Sequence, residues 1–305
     1  MTRLLATSVI RGSELGDSHG GAYLVDFDKR AVEQVLDWNT PDIDWTGRGW
    51  DRGLRGAAFA GNDVYIAASD ELFVYDKRFQ SRRGRRSPWL KHCHEISRFG
   101  ETIFLTSTAF DAILGFDLQE QDFTWGLRLE PENGRISFRT FDPRREPPPA
   151  QTNAFHLNSI TATERGLFMA GLKAPGLMRF ANGALAVIAS LPPGTHNAQP
   201  FRDGILFNDT NADCVRFVTP SRQRTFPVPR YKEEDLTCRD LDDSRIARQA
   251  FARGLCAVTE SVVAGGSSPS TISLHDIDAN KTLSMVTLSY DIRNAVHGLA
   301  VWPFD

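Results

Sequence analysis

RGAAFAGNDVYIAASDELFVYD, from Arg55 to Asp76, and HEISRFGETIFLTSTAFDAILGFD, from His94 to Asp117, are one pattern laid down twice. Each is a short strand, a tight polar turn, a second strand, another turn, and a third strand ending in Asp. Apolar residues at helical spacing are scarce elsewhere. Short β-rich runs such as Val64–Ala67, Leu167–Ala170, Ile205–Asn208 and Thr271–Asp276 recur between Gly, Asn and Asp. Many short strands with regular turn signals predict an all-β fold. A repeating hairpin unit narrows that to a repeat architecture.

The first strand of the unit appears six times: RGAAFA at Arg55, HEISRF at His94, HLNSIT at His156, HNAQPF at His196, RGLCAV at Arg253 and HGLAVW at His297. A four-stranded propeller blade occupies about 40 to 50 residues, which suits these intervals with some inserted loops. The strand at His297 has no chain left to complete a blade. Leu4–Ile10, Ala22–Phe27 and Val32–Leu36 supply three strands that lack an inner partner. The reading is therefore a six-bladed β-propeller over residues 1–305, one domain, whose first and last blade is shared between 1–37 and 296–305. Pairing the ends in one blade removes exposed sheet edges.

Composition excludes several classes. Lys and Arg number 35 against 38 Asp and Glu, so neither nucleic acid nor an anionic membrane is an expected partner. The run Arg82-Arg83-Gly84-Arg85-Arg86 is the exception and reads as a solvated loop. No stretch reaches the roughly 20 apolar residues of a membrane span, and the first residues lack the marks of a secretory signal. The 4 cysteines show no CxxC pairing. A cytoplasmic protein with reduced thiols is expected. Oligomeric state is not legible.

The first strand of a blade lines the channel, so residues opening that strand gather at one rim. The turns between first and second strands are minimal, whereas the connections Trp38–Leu54, Gln80–Cys93, Pro131–Phe155 and Pro227–Ala252 are long. Long loops in a compact domain tend to be functional. The loop-rich face is thus the functional one, and its rim carries His94, His156, His196 and His297 with Arg55 and Arg253. Four of only 7 histidines share one register. Converging neutral imidazoles suit a divalent transition metal, iron or copper ahead of manganese or zinc. The same set serves a metal-free catalytic site or a hydrogen-bonded network. Arg55 and Arg253 imply an acidic partner, either a small anionic substrate or Glu95, Asp51 or Asp209. Glu95 is expected to point away from the channel. Asp209, Asn158 and His19 are further substrate-binding candidates, Trp45, Trp50 and Phe155 candidate lid aromatics, and Tyr231–Gln249 a loop or short helix.

The stretches LLATSVIRG, DSHGGAYLVDFD, DWTGRGWDRGLRG, AASDELFVYD and KHCHEI resemble a bacterial family of conserved six-bladed propeller proteins. That resemblance spans Leu4 to Asp305 and implies the fold, with no reaction attached. The site is loosely similar to those of carotenoid-cleaving oxygenases, which hold iron with four histidines, and oligogalacturonate lyases, which hold a divalent metal. Bacterial arylsulfotransferases are similar in using channel His and Arg without such a metal. The leading expectation is a metal-dependent oxygenase or oxidase acting on a small anionic substrate. The alternatives are a metal-free transferase or lyase, and a non-catalytic binding propeller.

Overall fold

The computed structural model describes residues 3–14, 16–39, 53–80, 82–239 and 248–304. Six antiparallel sheets form a ring of blades. Blade 1 joins Arg3–Ile10 (β1), Gly21–Asp26 (β2) and Ala31–Asp37 (β3) to Asn294–Val301 (β25), which is its inner strand. Blade 2 is Ala57–Ala60 (β4), Asp63–Ala67 (β5), Glu71–Asp76 (β6) and Arg82–Arg86 (β7). Blade 3 is Ile96–Phe99 (β8), Thr102–Ser107 (β9), Ala112–Asp117 (β10), Asp122–Glu132 (β11) and Arg135–Phe141 (β12). Blade 4 is Leu157–Thr163 (β13), Gly166–Gly171 (β14), Gly176–Ala181 (β15) and Ala184–Ser190 (β16). Blade 5 is Thr195–Phe201 (β17), Gly204–Asp209 (β18), Cys214–Val218 (β19) and Gln223–Pro227 (β20). Blade 6 is Leu255–Ala257 (β21), Val262–Ser267 (β22), Thr271–Asp276 (β23) and Lys281–Thr287 (β24).

Both faces of each blade are covered by neighbours, so the middle strands are apolar along their length rather than alternating. Among the described residues the core is accordingly divided into six clusters, one between each adjacent pair of blades, with a small seventh formed by Val228, Ala250 and Ala252. Leu72, Val74 and Leu105 fill the gap between blades 2 and 3, and Leu5, Leu24 and Phe73 that between 1 and 2. Leu127 packs with Met169, Phe168 with Phe207, Phe217 with Val263, and Leu4 with Ile272 in the remaining four. The third strand ends in Asp in four blades because that carboxylate caps the following turn. Asp26, Asp76, Asp117 and Asp276 each accept a backbone N–H two or three residues on, at 2.8 to 2.9 Å.

Two expectations are corrected here. The basic run 82–86 is not a loop but the outer strand β7, paired along β6. Its charges guard an exposed edge, and Arg83 and Arg86 pair with Asp63 at 3.2 Å and Glu71 at 2.8 Å. The connection 131–155 likewise contains a fifth strand, β12. Asn133 and Gly134 take positive φ in the tight turn joining it to β11, the Asn-Gly hairpin signal. The segment 231–249 shows a single 3-10 turn at Glu233–Asp235, with 240–247 outside the described residues. No helix among the described residues is long and apolar enough to cross a membrane.

Gly298 shows how tightly the inner strands approach. A Cβ there would lie 2.3 Å from the Arg55 carbonyl oxygen of the next blade, a backbone atom with no room to yield. Gly298→Ala is expected to cost about 1–3 kcal/mol as an overpacked site, read as a lowered thermal midpoint. An unchanged midpoint would mean the two blades can part without penalty.

Candidate functional site

The ring forms as the repeat register requires. Arg55, His94, His156 and Arg253 stand just ahead of the inner strands β4, β8, β13 and β21, while His196 and His297 lie within β17 and β25. Arg55, His94, His196 and His297 are buried, and His156 and Arg253 half-buried. The His94 and His156 ring centroids are 5.3 Å apart, and those of His94 and His297 6.4 Å. The charges of Arg55 and Arg253 act on both His94 and His297, so the six residues share one electrostatic environment.

Three imidazoles are held by the same atom. His94 Nδ1 donates to the His92 carbonyl at 2.8 Å and to Thr108 Oγ1 at 2.9 Å. His196 Nδ1 donates to the Gly194 carbonyl at 3.0 Å, and His156 Nδ1 to Asn153 Oδ1 at 2.9 Å. A proton fixed on Nδ1 leaves the Nε2 lone pair as the free end of a neutral ring. Among the described residues, the buried Nε2 atoms of His196 and His297 have no hydrogen-bond partner. As the rings stand, no three His, Cys, Asp or Glu side chains among the described residues are grouped to hold a metal ion.

Burial, then the nearby arginines, hold His94, His196 and His297 well below the usual imidazole range. Burial alone lowers the structural His275 to about 4. All four are neutral when folded but gain protons in the unfolded chain below a pH of about 6.5. The unfolded state then binds more protons, so stability falls as pH drops through that point. Glu95 acts with the opposite sign. Burial raises it to about 8, so between 4.5 and 8 the folded chain keeps a proton that the unfolded chain has lost. Four imidazoles outweigh one carboxyl between pH 6.5 and 5, each contributing up to about 1.4 kcal/mol per pH unit. Urea midpoints of chelator-treated protein are expected to be clearly lower at pH 5 than at pH 7. Equal midpoints would show that the imidazoles are charged in the fold.

The other sequence candidates fall elsewhere. Asp209 ends β18 and pairs with Arg216 at 3.1 Å, so it is not the partner of a ring arginine. Asn158 ties blade 4 to blade 5 by donating to the Thr195 carbonyl at 2.9 Å, and its oxygen accepts from Ser159 at 2.8 Å. His19 is buried between β1 and β2 with Nδ1 2.5 Å from Ser13 Oγ. Phe155 packs into the core between blades 3 and 4 rather than forming a lid. Trp45, Trp50 and Asp51 lie outside the described residues. Glu95 reverses its expectation: it faces the channel. It helps line a cavity of about 270 Å³ bounded by all six blades, Ala57, Thr161, Cys256 and Leu299 among its walls. Its carboxyl accepts from Asn197 of blade 5 across the channel.

Sequence reading missed two groups. Asp111, fully buried, accepts from the backbone N–H of Phe155 at 3.0 Å and His156 at 2.9 Å, from Ala154 N–H, and from Thr152 Oγ1 at 3.1 Å. One carboxylate thus sets the loop that delivers His156. Phe251 is the second: Arg253, Arg248 and Arg11 lie 4.6, 4.8 and 4.9 Å from its ring centroid. Neither has a local signal, since their partners come from distant segments.

The chain is similar to several solved structures at low identity. A structure described as a nidogen/laminin complex superposes with a TM-score of 0.62 at 12% identity, over 98% of this chain and 97% of that one. The WD40 β-propeller domain of Doa1 gives 0.46 at 12% identity, over 79% and 71%. Apo AztD from Citrobacter koseri gives 0.48 at 9%, over 94% and 82%. No family model matches the chain, and no curated protein does. The likeness at 0.62 concerns the fold alone and says nothing about chemistry.

Proposed function

We propose that the channel mouth is the centre of a metal-dependent enzyme, an oxygenase or oxidase, acting on a small anionic substrate. His94, His156, His196 and His297 are the ligands, and a divalent transition metal, iron or copper ahead of manganese or zinc, supplies Lewis-acid or redox chemistry. The observation that carries this is the fixed tautomer. Nδ1 is engaged by an oxygen acceptor in three rings, the outer-partner pattern of metal-ligating histidines. The buried Nε2 atoms of His196 and His297 await a partner.

A divalent metal would be held by the Nε2 atoms of these four rings, with the backbone under His156 set by Asp111. Arg55 and Arg253 would bind the substrate's anionic group, whose charge would offset the repulsion between a dication and the two guanidiniums. Four thiols left free agree with a reducing, cytoplasmic setting.

A metal-free lyase or transferase is the second reading, favoured by the cationic field at the imidazoles. One neutral imidazole then acts as base or nucleophile through Nε2. Elemental analysis of tag-free protein separates the two. Near-stoichiometric iron, copper, manganese or zinc supports the first. A metal-free chain that also refuses added metal ends it in favour of the second.

A further inference from the structure

The channel does not end at the histidine ring. Behind it lies the axial cavity of about 270 Å³, far more than the roughly 10–15 Å³ that a single water occupies. Most of its wall stands a few residues past the ring positions on the inner strands, as Ala57 does after Arg55 and Ala257 after Arg253. At about 3.3 Å per residue that is roughly 7–13 Å further along the axis. Ala257 is the last residue of β21 and Ala300 the last but one of β25, so the cavity reaches the rim opposite the histidines.

The wall is two-sided. Its polar side chains, Glu95, Ser97, Thr161, Asn197 and Gln199, all come from blades 3, 4 and 5. Blades 6, 1 and 2 contribute Ala57, Leu255, Cys256, Ala257, Leu299 and Ala300, apolar but for a thiol that behaves as a small hydrophobe. Glu95 is the one charged residue of the wall, and among the described residues no cationic side chain pairs with it. Asn197 Oδ1 accepts from Asn208 Nδ2 at 3.0 Å and from the Gly254 N–H at 3.1 Å, which turns its amide nitrogen to the Glu95 carboxyl. The other Glu95 oxygen accepts the Ile96 N–H at 3.3 Å. Each oxygen keeps a lone pair, and the carboxyl's charge acts on Cys256 across the cavity.

We infer that this cavity is a binding site, separate from the ring, for a small organic ammonium ion. Ammonium N–H groups donate to the two Glu95 oxygens, and the carbon skeleton lies against the apolar half. The site stands whether or not the ring holds a metal.

Calorimetric titration of the chelator-treated full chain at pH 9 with butylammonium, 1-butanol and potassium tests it. At that pH the Glu95 carboxyl is ionised and the amine still protonated. Butylammonium is expected to bind at least about tenfold more tightly than butanol, which lacks the charge, and than potassium, which lacks the apolar body. Glu95→Gln is expected to erase the preference over butanol. Thr161→Phe, which fills the cavity and leaves the carboxyl, is expected to abolish binding and carries the test if Glu95→Gln does not fold. His297→Ala is expected to bind as wild type does. No binding of butylammonium, parity with butanol or potassium, or full binding in Glu95→Gln or Thr161→Phe overturns the inference. So does loss of binding in His297→Ala, which would place the ammonium at the ring. Metal content judges the ring separately, so either idea can fail alone.

Discussion

Asp111→Ala is expected to destabilise the chain by about 3 kcal/mol or more and to release the loop that carries His156. The carboxylate is the acceptor for three consecutive backbone N–H groups, those of Ala154, Phe155 and His156, and for the Thr152 hydroxyl. A buried donor stripped of its acceptor costs roughly 1–3 kcal/mol, and partial entry of water recovers some of that sum. Asp111→Asn retains acceptor capacity without the charge and should fall between wild type and Ala. Urea unfolding gives the loss, and amide exchange over residues 152–156 shows whether it is local. A wild-type midpoint together with protected amides in Asp111→Ala would show that the loop stands without the carboxylate. His156 has a φ of 52°, a conformation that non-glycine residues hold only where surroundings impose it. Asp111 is what imposes it, and with its loss His156 should leave the ring.

Metal content should respond still more sharply to the ring itself. In His196→Ala and His297→Ala, bound metal is expected to drop from near one equivalent to under about a tenth. Losing an outer partner of a ligating histidine already costs about 10–100-fold in affinity, and losing the ligand costs more. Asn153→Ala, which removes the Asn153 acceptor of His156 Nδ1, should reproduce only the smaller effect and keep the fold. His275→Ala is the informative contrast. That histidine is as buried as the others, but it stacks on Phe226 at 4.6 Å and bonds Thr282 at 3.0 Å within blade 6. Its removal should leave metal content unchanged. Full metal in both ring variants would remove His196 and His297 from any ligand set.

The propeller was legible because its signal is repetitive: six copies of one strand opening placed the inner strands and the ring together. The turn-capping Asp at the third strand repeats for the same reason. What escaped was whatever the repeat does not carry. The strand β7 reads as a loop because Arg82–Arg86 has no alternation, its outward location tolerating charge on both faces. The extra hairpin at Asn133-Gly134 had a readable turn signal, obscured by the assumption that blades have four strands. Glu95 follows a channel histidine, and simple strand alternation turns it away. In the structure Asn197, reaching from a blade two positions off, holds it toward the axis. Asp111 and Phe251 draw partners from segments remote in sequence, where single-residue patterns say nothing. Asp209 and Asn158 have partners, Arg216 and the Thr195 carbonyl, that their own sequence positions do not announce.

The shared blade has a consequence for assembly and for force. Thr7 and Gly298, joined at 3.0 Å across β1 and β25, are 291 residues apart in the chain. Bringing together ends that distant costs about 5 kcal/mol of loop entropy by the three-halves logarithmic rule, and nothing repays it until the clasp has formed. Blades 2 to 6 lie beside their sequence neighbours and can accrete progressively, so ring closure is the slow, non-local event. Mechanically the clasp is asymmetric. Leu4 faces Val301 in an antiparallel register, so tension applied at those two residues peels hydrogen bonds singly instead of shearing the whole row. The ring resists swelling from within but opens like a zip when its two strands are drawn apart.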